Sequence, residues 1–306
     1  MEGKVLEIPV IWLQGATCTG CTISVLNGVS PSIKNVLLDE IVPGKHLNLR
    51  FQTTIMAGVG EPTLEILEDT RERKKGEYLL VVEGAIPTAE GGVYGTIGEE
   101  TILDRVLKMG RDAMLVVALG TCASYGGIPS GSPNPTGCKG VLEIFKEQGL
   151  ETPVVCVPGC PPHPDWFVGT CVHILMFGPP KEELDELRRL KLFYAKLIHD
   201  NCPRRGYFDT GRLAKRPGEE GCLYEVGCKG YITYSDCPLR KWNGGINWCV
   251  ENGHPCIGCC EPTFPDVNSP FFEKFGEERL PRLEADPETG RLKAGVGPAT
   301  SSGAQG

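Results

Sequence analysis

Through the first 180 positions of the chain, short apolar runs alternate with amphipathic stretches. The runs lie at 10–13, 78–82, 114–119 and 154–157, and each is continuously apolar. Strands buried on both faces read this way, because helices cover the two sides of their sheet. The stretches between them, among them 61–74, 99–109 and 140–148, place apolar residues at helical spacing. Such alternation predicts a parallel sheet. We read residues 1–180 as an α/β, flavodoxin-like, doubly wound domain.

Phe177-Gly-Pro-Pro180 then punctuates the chain. Leu184, Leu187, Leu190 and Leu197 predict a helix over 181–199. Regular periodicity fades beyond it. Residues 200–280 are rich in Cys, Gly, Pro and Trp, with too few apolar runs for a conventional core. A segment of this kind is organised around metal, as small metal domains are. Residues 181–280 are therefore expected to form a second, smaller domain, largely irregular and helical, and 281–306 an irregular tail.

A chain of 306 residues has room for two domains. Hydrophobic residues make up 41% and charged residues 23%, the balance of a globular protein. A net charge of −8 argues against nucleic acid, whose phosphates need a cationic surface. The longest strongly apolar stretch, 113–119, is too short to span a bilayer. The N-terminus, MEGKVLEIPVIWLQG, has no basic segment followed by an apolar one and no twin-arginine motif. The expectation is a soluble chain without a membrane span. It is cytoplasmic if Met1 is the true start, and periplasmic if a leader was removed ahead of it.

The chemistry lies in fifteen cysteines. Disulfide frameworks belong to short secreted domains that cannot build a core, and an odd count in a long chain does not suit one. The thiols fall instead into sets of four donors. Cys18 and Cys21 follow the first apolar run, Cys122 the run ending at Leu119, and Cys160 the run ending at Val157. Each stands just past the carboxyl end of a predicted strand, the edge where open α/β sheets bind ligands. His199, Cys202, Cys222 and Cys228 form a second set, and Cys237, Cys249, Cys256 and Cys259 a third. Soft thiolates in fours select zinc or an iron–sulfur cluster. Structural zinc usually draws on paired knuckles close in sequence, whereas the first set runs from residue 18 to residue 160. Cysteine followed by proline, as at 160, 202 and 237, recurs in ferredoxin-type ligand runs. An imidazole in place of one thiolate makes a cluster less negative and raises its potential, which is the role read for His199. Cys138, Cys156, Cys171 and Cys260 fit no set and read as buried apolar residues or free thiols. His163 reads as structural, and Ser124 as a hydrogen-bond donor to a cluster. The sequence shows no catalytic acid–base or nucleophile constellation.

Nine segments then match one family in order: WLQGATCTGCTISVLN (12–27), TTIMAGVGE (53–61), VEGAIP (82–87), GTCASYGGIP (120–129), PGCPPHPDW (158–166), HDNCPRRGYFD (199–209), GCLYEVGCKG (221–230), DCPLRKWNGGINW (236–248) and GHPCIGCCEP (253–262). From Trp12 to about Phe264 the chain resembles the small subunit of nickel–iron hydrogenases. The resemblance implies three iron–sulfur clusters. Cys18, Cys21, Cys122 and Cys160 would hold a proximal 4Fe–4S cluster facing the large subunit. His199, Cys202, Cys222 and Cys228 would hold a distal 4Fe–4S cluster near the surface. Cys237, Cys256 and Cys259 would hold a medial cluster between them. The implied function is an electron relay, with hydrogen oxidation favoured. It runs between the nickel–iron site of a catalytic large subunit and an acceptor protein or quinone. A dimer of heterodimers is expected. The alternative is an iron–sulfur subunit of a related quinone- or cofactor-reducing complex, a group that tends to lack the full C-terminal cluster domain.

Departures from the family pattern refine this. Many relatives carry Pro at the position of Cys249 and a 3Fe–4S medial cluster. Here a fourth thiolate is available, and the expected medial centre is 4Fe–4S on Cys237, Cys249, Cys256 and Cys259. Extra cysteines of oxygen-tolerant relatives fall at Gly20 and Gly127, so their cysteine-rich proximal cluster is not expected. The Glu often found before the first ligand is Thr17. The family's usual export leader and C-terminal membrane helix are not seen, which suits a cytosolic member. Arg204, Arg205, Arg212, Lys215 and Arg216 lie between distal ligands and are expected to form a basic rim steering an acidic electron partner.

Overall fold

The computed structural model describes residues 6–37, 39, 42–275, 283–285 and 292–294. Five parallel strands form the central sheet. They are β1 (Leu6–Gln14), β2 (Lys45–Gln52), β3 (Leu79–Glu83) and, after a small hairpin of β4 (Thr96–Ile97) and β5 (Glu100–Thr101), β6 (Leu115–Leu119) and β7 (Val154–Val157). Their order in space is β2-β1-β3-β6-β7. Counted within the sheet this is the flavodoxin-like, doubly wound order, with its switch point between β1 and β3. Gln14 pairs with Glu83, Glu83 with Leu119 and Leu119 with Val157, so four carboxyl ends finish level.

The helices of this part are α1 (Gly20–Leu26), α2 (Ile33–Leu37), α3 (Glu61–Arg73), α4 (Ile102–Asp112), α5 (Gly120–Tyr125), α6 (Val141–Glu147) and α7 (Pro164–Phe177). Successive strand residues point to opposite faces. Val10, Trp12, Val81 and Val117 enter one core with Val25 of α1, Val36 of α2 and Trp166 of α7. Ile11, Leu13, Leu80 and Val116 enter the other with Leu67 of α3, Met109 of α4 and Phe145 of α6. Local signals start the helices. Thr101 accepts from the Asp104 N–H at 3.0 Å ahead of α4, and His163 Nδ1 accepts from the Asp165 N–H at 3.0 Å ahead of α7.

The four apolar runs are β1, β3, β6 and β7, and the three amphipathic stretches are α3, α4 and α6. The helix expected over 181–199 does not form; only α8 (Lys191–Tyr194) and the start of a 3₁₀ turn at Ile198 are helical there. Arg188 adopts φ 63°, Leu184 bridges Leu190, and Arg189 bridges Cys156 beside the sheet. That turn places the buried Arg189 guanidinium 2.9 Å from Asp185 and 3.0 Å from Glu261. Buried charges stay buried only when paired, and here that pairing overrides the leucine spacing.

Beyond it come α9 (Arg205–Asp209), α10 (Cys237–Arg240) and two 3₁₀ turns at Ile198–Asn201 and Leu223–Val226. The larger core continues across residue 180 through Leu190, Tyr194, Leu223, Trp248 and Val250. Trp166 stands at the junction. Its indole N–H donates to Asp236 at 2.7 Å, and its ring lies 5.1 Å from that of Tyr194. The tail expected to be irregular carries an antiparallel pair, β8 (Leu283–Ala285) and β9 (Leu292–Ala294). The rest of 281–306 lies outside the described residues. No helix among the described residues is long and apolar enough to cross a membrane.

Candidate metal centres

The level carboxyl edge gathers the first set. Cys18, Cys122 and Cys160 are electrostatic neighbours of Cys21. Glycines let these sulfurs pack closely against the main chain. A Cβ at Gly120, where φ is +88°, would stand 2.5 Å from Cys21 Sγ; one at Gly127, where φ is +52°, would stand 2.9 Å from Cys122 Sγ; one at Gly20 would stand 3.1 Å from Cys18 Sγ. Burial raises the thiols: Cys122 is pushed up to about 11 and Cys160 to about 12. Cys21 rises further, through burial and then the charge of Glu83.

Glu83 was not singled out in the sequence. It ends β3, is fully buried, and accepts from Trp12 Nε1 at 3.0 Å, Gln14 Nε2 at 3.0 Å, the Thr22 N–H at 3.1 Å and Thr17 Oγ1 at 3.3 Å. The Thr22 hydroxyl donates to it as well. All five donors are uncharged, so a carboxylate is held beside Cys21 by dipoles alone. The available signal was a glutamate closing an otherwise apolar run, Leu-Leu-Val-Val-Glu.

In the second and third sets one local pattern repeats. The backbone N–H two residues on faces the sulfur: Arg204 for Cys202, Tyr224 for Cys222, Gly230 for Cys228 and Gly258 for Cys256. For Cys256 the distance is 3.4 Å. Cys237 instead takes the Ser235 hydroxyl at 3.1 Å. Such donors favour thiolate over thiol and tune sulfur-bound metal. Cys228 neighbours Cys202 and Cys222. His199 joins them through the main chain: its N–H donates to Gly230 O at 3.0 Å, and its carbonyl accepts from the Cys202 N–H at 3.4 Å. Its ring packs edge-on to Phe208 at 4.7 Å. Cys249 is exposed as a residue, yet its thiol is raised by burial and then by Cys259. Cys249 and Cys259 both neighbour Cys237 and Cys256.

The third set touches each of the others. The Cys160 N–H faces the Cys259 thiol, and the Thr121 hydroxyl donates to the Cys259 carbonyl. At the opposite end Cys256 neighbours Cys228, and the Lys229 N–H donates to the Cys256 carbonyl at 2.7 Å.

Other residues resolve more simply. Cys138, Cys156, Cys171 and Cys260 are buried. The Cys260 thiol lies 4.0 Å from that of Cys259, whose own pKa is lowered first by this hydrogen bond. His163 is structural, with Nε2 2.7 Å from the Lys241 carbonyl. Ser124, read as a donor to a cluster, donates instead to the Ala118 carbonyl at 3.1 Å. Three of the five cations of the basic rim are paired with carboxylates. Arg205 pairs with Asp200 and Asp209, Arg212 with Glu220 and Arg216 with Glu219, while Arg204 donates to the carbonyls of Glu219 and Gly221.

Among the described residues no group of three or more His, Cys, Asp or Glu is arranged to hold a single metal ion. A tetrahedral zinc site needs its sulfurs within roughly 4 Å of one another. Polynuclear clusters hold their terminal donors further apart, and thiol-rich, glycine-lined donor sets suit them. The indole N–H of Trp248 and the hydroxyl of Tyr231 are buried with no hydrogen-bond partner among the described residues. The Tyr231 hydroxyl neighbours Cys228, where a sulfide would accept from it. The donor sets fit iron–sulfur clusters.

Fold and donors together define a thiolate-ligated metal protein built on a doubly wound sheet. Residues 194–272 match the C-terminal profile of the NiFe/NiFeSe hydrogenase small subunit, and residues 18–174 match that of the NADH ubiquinone oxidoreductase 20 Kd subunit. The periplasmic [NiFeSe] hydrogenase small subunit of Desulfomicrobium baculatum is 46% identical over 283 residues, 87% of each chain. The uptake hydrogenase small subunit of Rhizobium leguminosarum bv. viciae is 38% identical, over 95% of this chain and 79% of its own. A solved structure of the H2-activated Dm. baculatum [NiFeSe] hydrogenase superposes with a TM-score of 0.82 at 44% identity, over 88% of this chain and 99% of that one. The chain belongs to the nickel–iron hydrogenase small-subunit family. It is the electron-transfer subunit of a heteromeric oxidoreductase. Small subunits of this family carry iron–sulfur clusters and pair with a large, nickel–iron subunit.

Proposed function

We propose that the three donor sets hold three four-iron clusters in a line, as the resemblance implies. Cys18, Cys21, Cys122 and Cys160 take the proximal one. Cys237, Cys249, Cys256 and Cys259 take the medial one. His199, Cys202, Cys222 and Cys228 take the distal one. The observation that carries this reading is the position of the third set, which adjoins the first through Cys160 and Cys259 and the second through Cys228 and Cys256. When bound, the clusters supply one-electron carriers between the partner's nickel–iron site and an external acceptor. The chain's own residues orient and tune them. Backbone N–H groups and the Ser235 hydroxyl face the sulfurs, glycines let the first set's sulfurs pack against the main chain, and the buried Glu83 lies beside Cys21.

Hydrogen oxidation is the favoured direction, in keeping with the uptake relatives, and the acceptor is a protein or a quinone. The quinone alternative has support from the match over residues 18–174, but the cluster segment over 194–272 matches hydrogenase small subunits. A dimer of heterodimers remains the proposed assembly. The names of two close relatives favour the periplasm over the cytoplasm expected first.

Hydrogen-dependent dye reduction by the native complex, with about 12 iron atoms per heterodimer beyond the nickel–iron site, tests the reading. Electron paramagnetic resonance tests Cys249. The oxidised wild type should lack a strong three-iron signal, and Cys249→Pro should produce one. A strong three-iron signal already present in the wild type removes Cys249 from the ligands.

A further inference from the structure

Among the described residues Lys229 is the one buried lysine. The buried arginines sit on carboxylates: Arg189 on Asp185 and Glu261, Arg105 on Glu68 and Glu100. Lys229 has no carboxylate oxygen at ion-pair distance among those residues. Its ammonium donates to the Glu273 carbonyl at 2.6 Å and lies 4.2 Å from the centroid of the Phe275 ring. A carbonyl and a ring face both favour an ammonium over an amine, but neither carries a counter-charge. Burying an unpaired charge costs on the order of several kcal/mol. A lysine persists in such a place where an anionic group stands near it.

The main chain shows which group. Lys229 directly follows Cys228, and its own N–H donates to the Cys256 carbonyl at 2.7 Å. Burial lowers the Lys229 pKa, and against it the ammonium is attracted by Cys228 and Cys256, then by the Glu273 carboxylate. The lysine is thus lodged between a donor of the second set and a donor of the third.

We propose that Lys229 is a fixed buried cation shared by the medial and distal centres, a positioning residue that raises both reduction potentials and screens one centre's charge from the other. The proposal rests on the assignment of Cys228 and Cys256 given above. A four-iron centre gains negative charge when reduced, so a cation beside it favours the reduced form. A cation shared by two such centres also lessens the repulsion an electron on one exerts on the other. Electron passage between them then meets a smaller electrostatic step.

The experiment is a redox titration of the purified heteromeric holoenzyme, followed by electron paramagnetic resonance, with iron measured first. Lys229→Met and Lys229→Gln should keep full iron. At a fixed ambient potential the reduced-to-oxidised ratio of the medial and distal centres should fall about tenfold, which is about 59 mV for a one-electron couple. The proximal ratio should not move, and Lys229→Arg should restore the other two. Unchanged ratios at full iron overturn the proposal, and so does an equal fall at all three centres. If Met and Gln lose iron, Arg decides: full iron with wild-type ratios supports the charge role, and loss of iron there too shows that the residue only fills space. Failure of the underlying assignment reads differently, because the wild type itself would then lack separate medial and distal centres.

Discussion

Between Leu6 and Phe177, five parallel strands and seven helices satisfy most of the main chain, and alternate strand residues fill two apolar cores. Between residues 181 and 275 the longest helix, α9, has five residues, and there is no strand among the described residues. That second region is held by turns, by carbonyls paired one at a time, and by its contact with the larger core. The sheet region has what it needs to fold from its own side chains. The cysteine-rich region shares a core with it but has little regular structure of its own, so its remaining stability has to come from metal.

The largest test of this contrast is iron removal. Anaerobic chelation of the holoenzyme should leave amides of Leu80 and Val117 protected from hydrogen exchange, while those of Cys222, Cys228 and Lys229 exchange freely. Simultaneous loss of protection in both regions would mean that the metal also holds the sheet. Next in size is the junction. Trp166→Ala should cost about 3–5 kcal/mol in denaturant unfolding and also lower iron content, because Trp166 joins α7 to Asp236 and Tyr194. A loss of stability at full iron content would show that the two regions are less coupled than their shared core implies.

The smallest is a pH effect at the same junction. Burial lowers the pKa of His163 below the ordinary histidine value, so the folded state favours the neutral ring. Stability from this residue is present above about pH 6.5 and is lost as pH falls through the lowered value. His163→Gln should flatten that part of the stability profile; an unchanged acid limb would remove His163 as its source.

The sheet was legible because its central strands are continuously apolar, and the first donor set followed from where those strands end. The edge strand β2, Lys-His-Leu-Asn-Leu-Arg-Phe-Gln, was not, because polar residues interrupt its apolar ones and leave no continuous run. The leucines at 184, 187, 190 and 197 carried a helical spacing that the Arg189 ion pairs overrode, a tertiary effect no local pattern encodes. Glu83 escaped notice because its partners, Trp12, Thr17 and Thr22, lie more than sixty positions away. The charge neutralisation around Arg205 and Arg212 was also hidden, since it depends on which carboxylates the turns bring back beside them.

The level register from Gln14 to Val157 carries a consequence for biosynthesis. The first donor set comes from segments that follow three strands, so its meeting place does not exist until β7 has docked and residue 160 has been translated. The second set, by contrast, lies within one stretch from 199 to 228 and needs no distant strand. If both sets hold clusters as proposed, the first can be filled only at a finished sheet edge, whereas the second can be filled on a local stretch of chain.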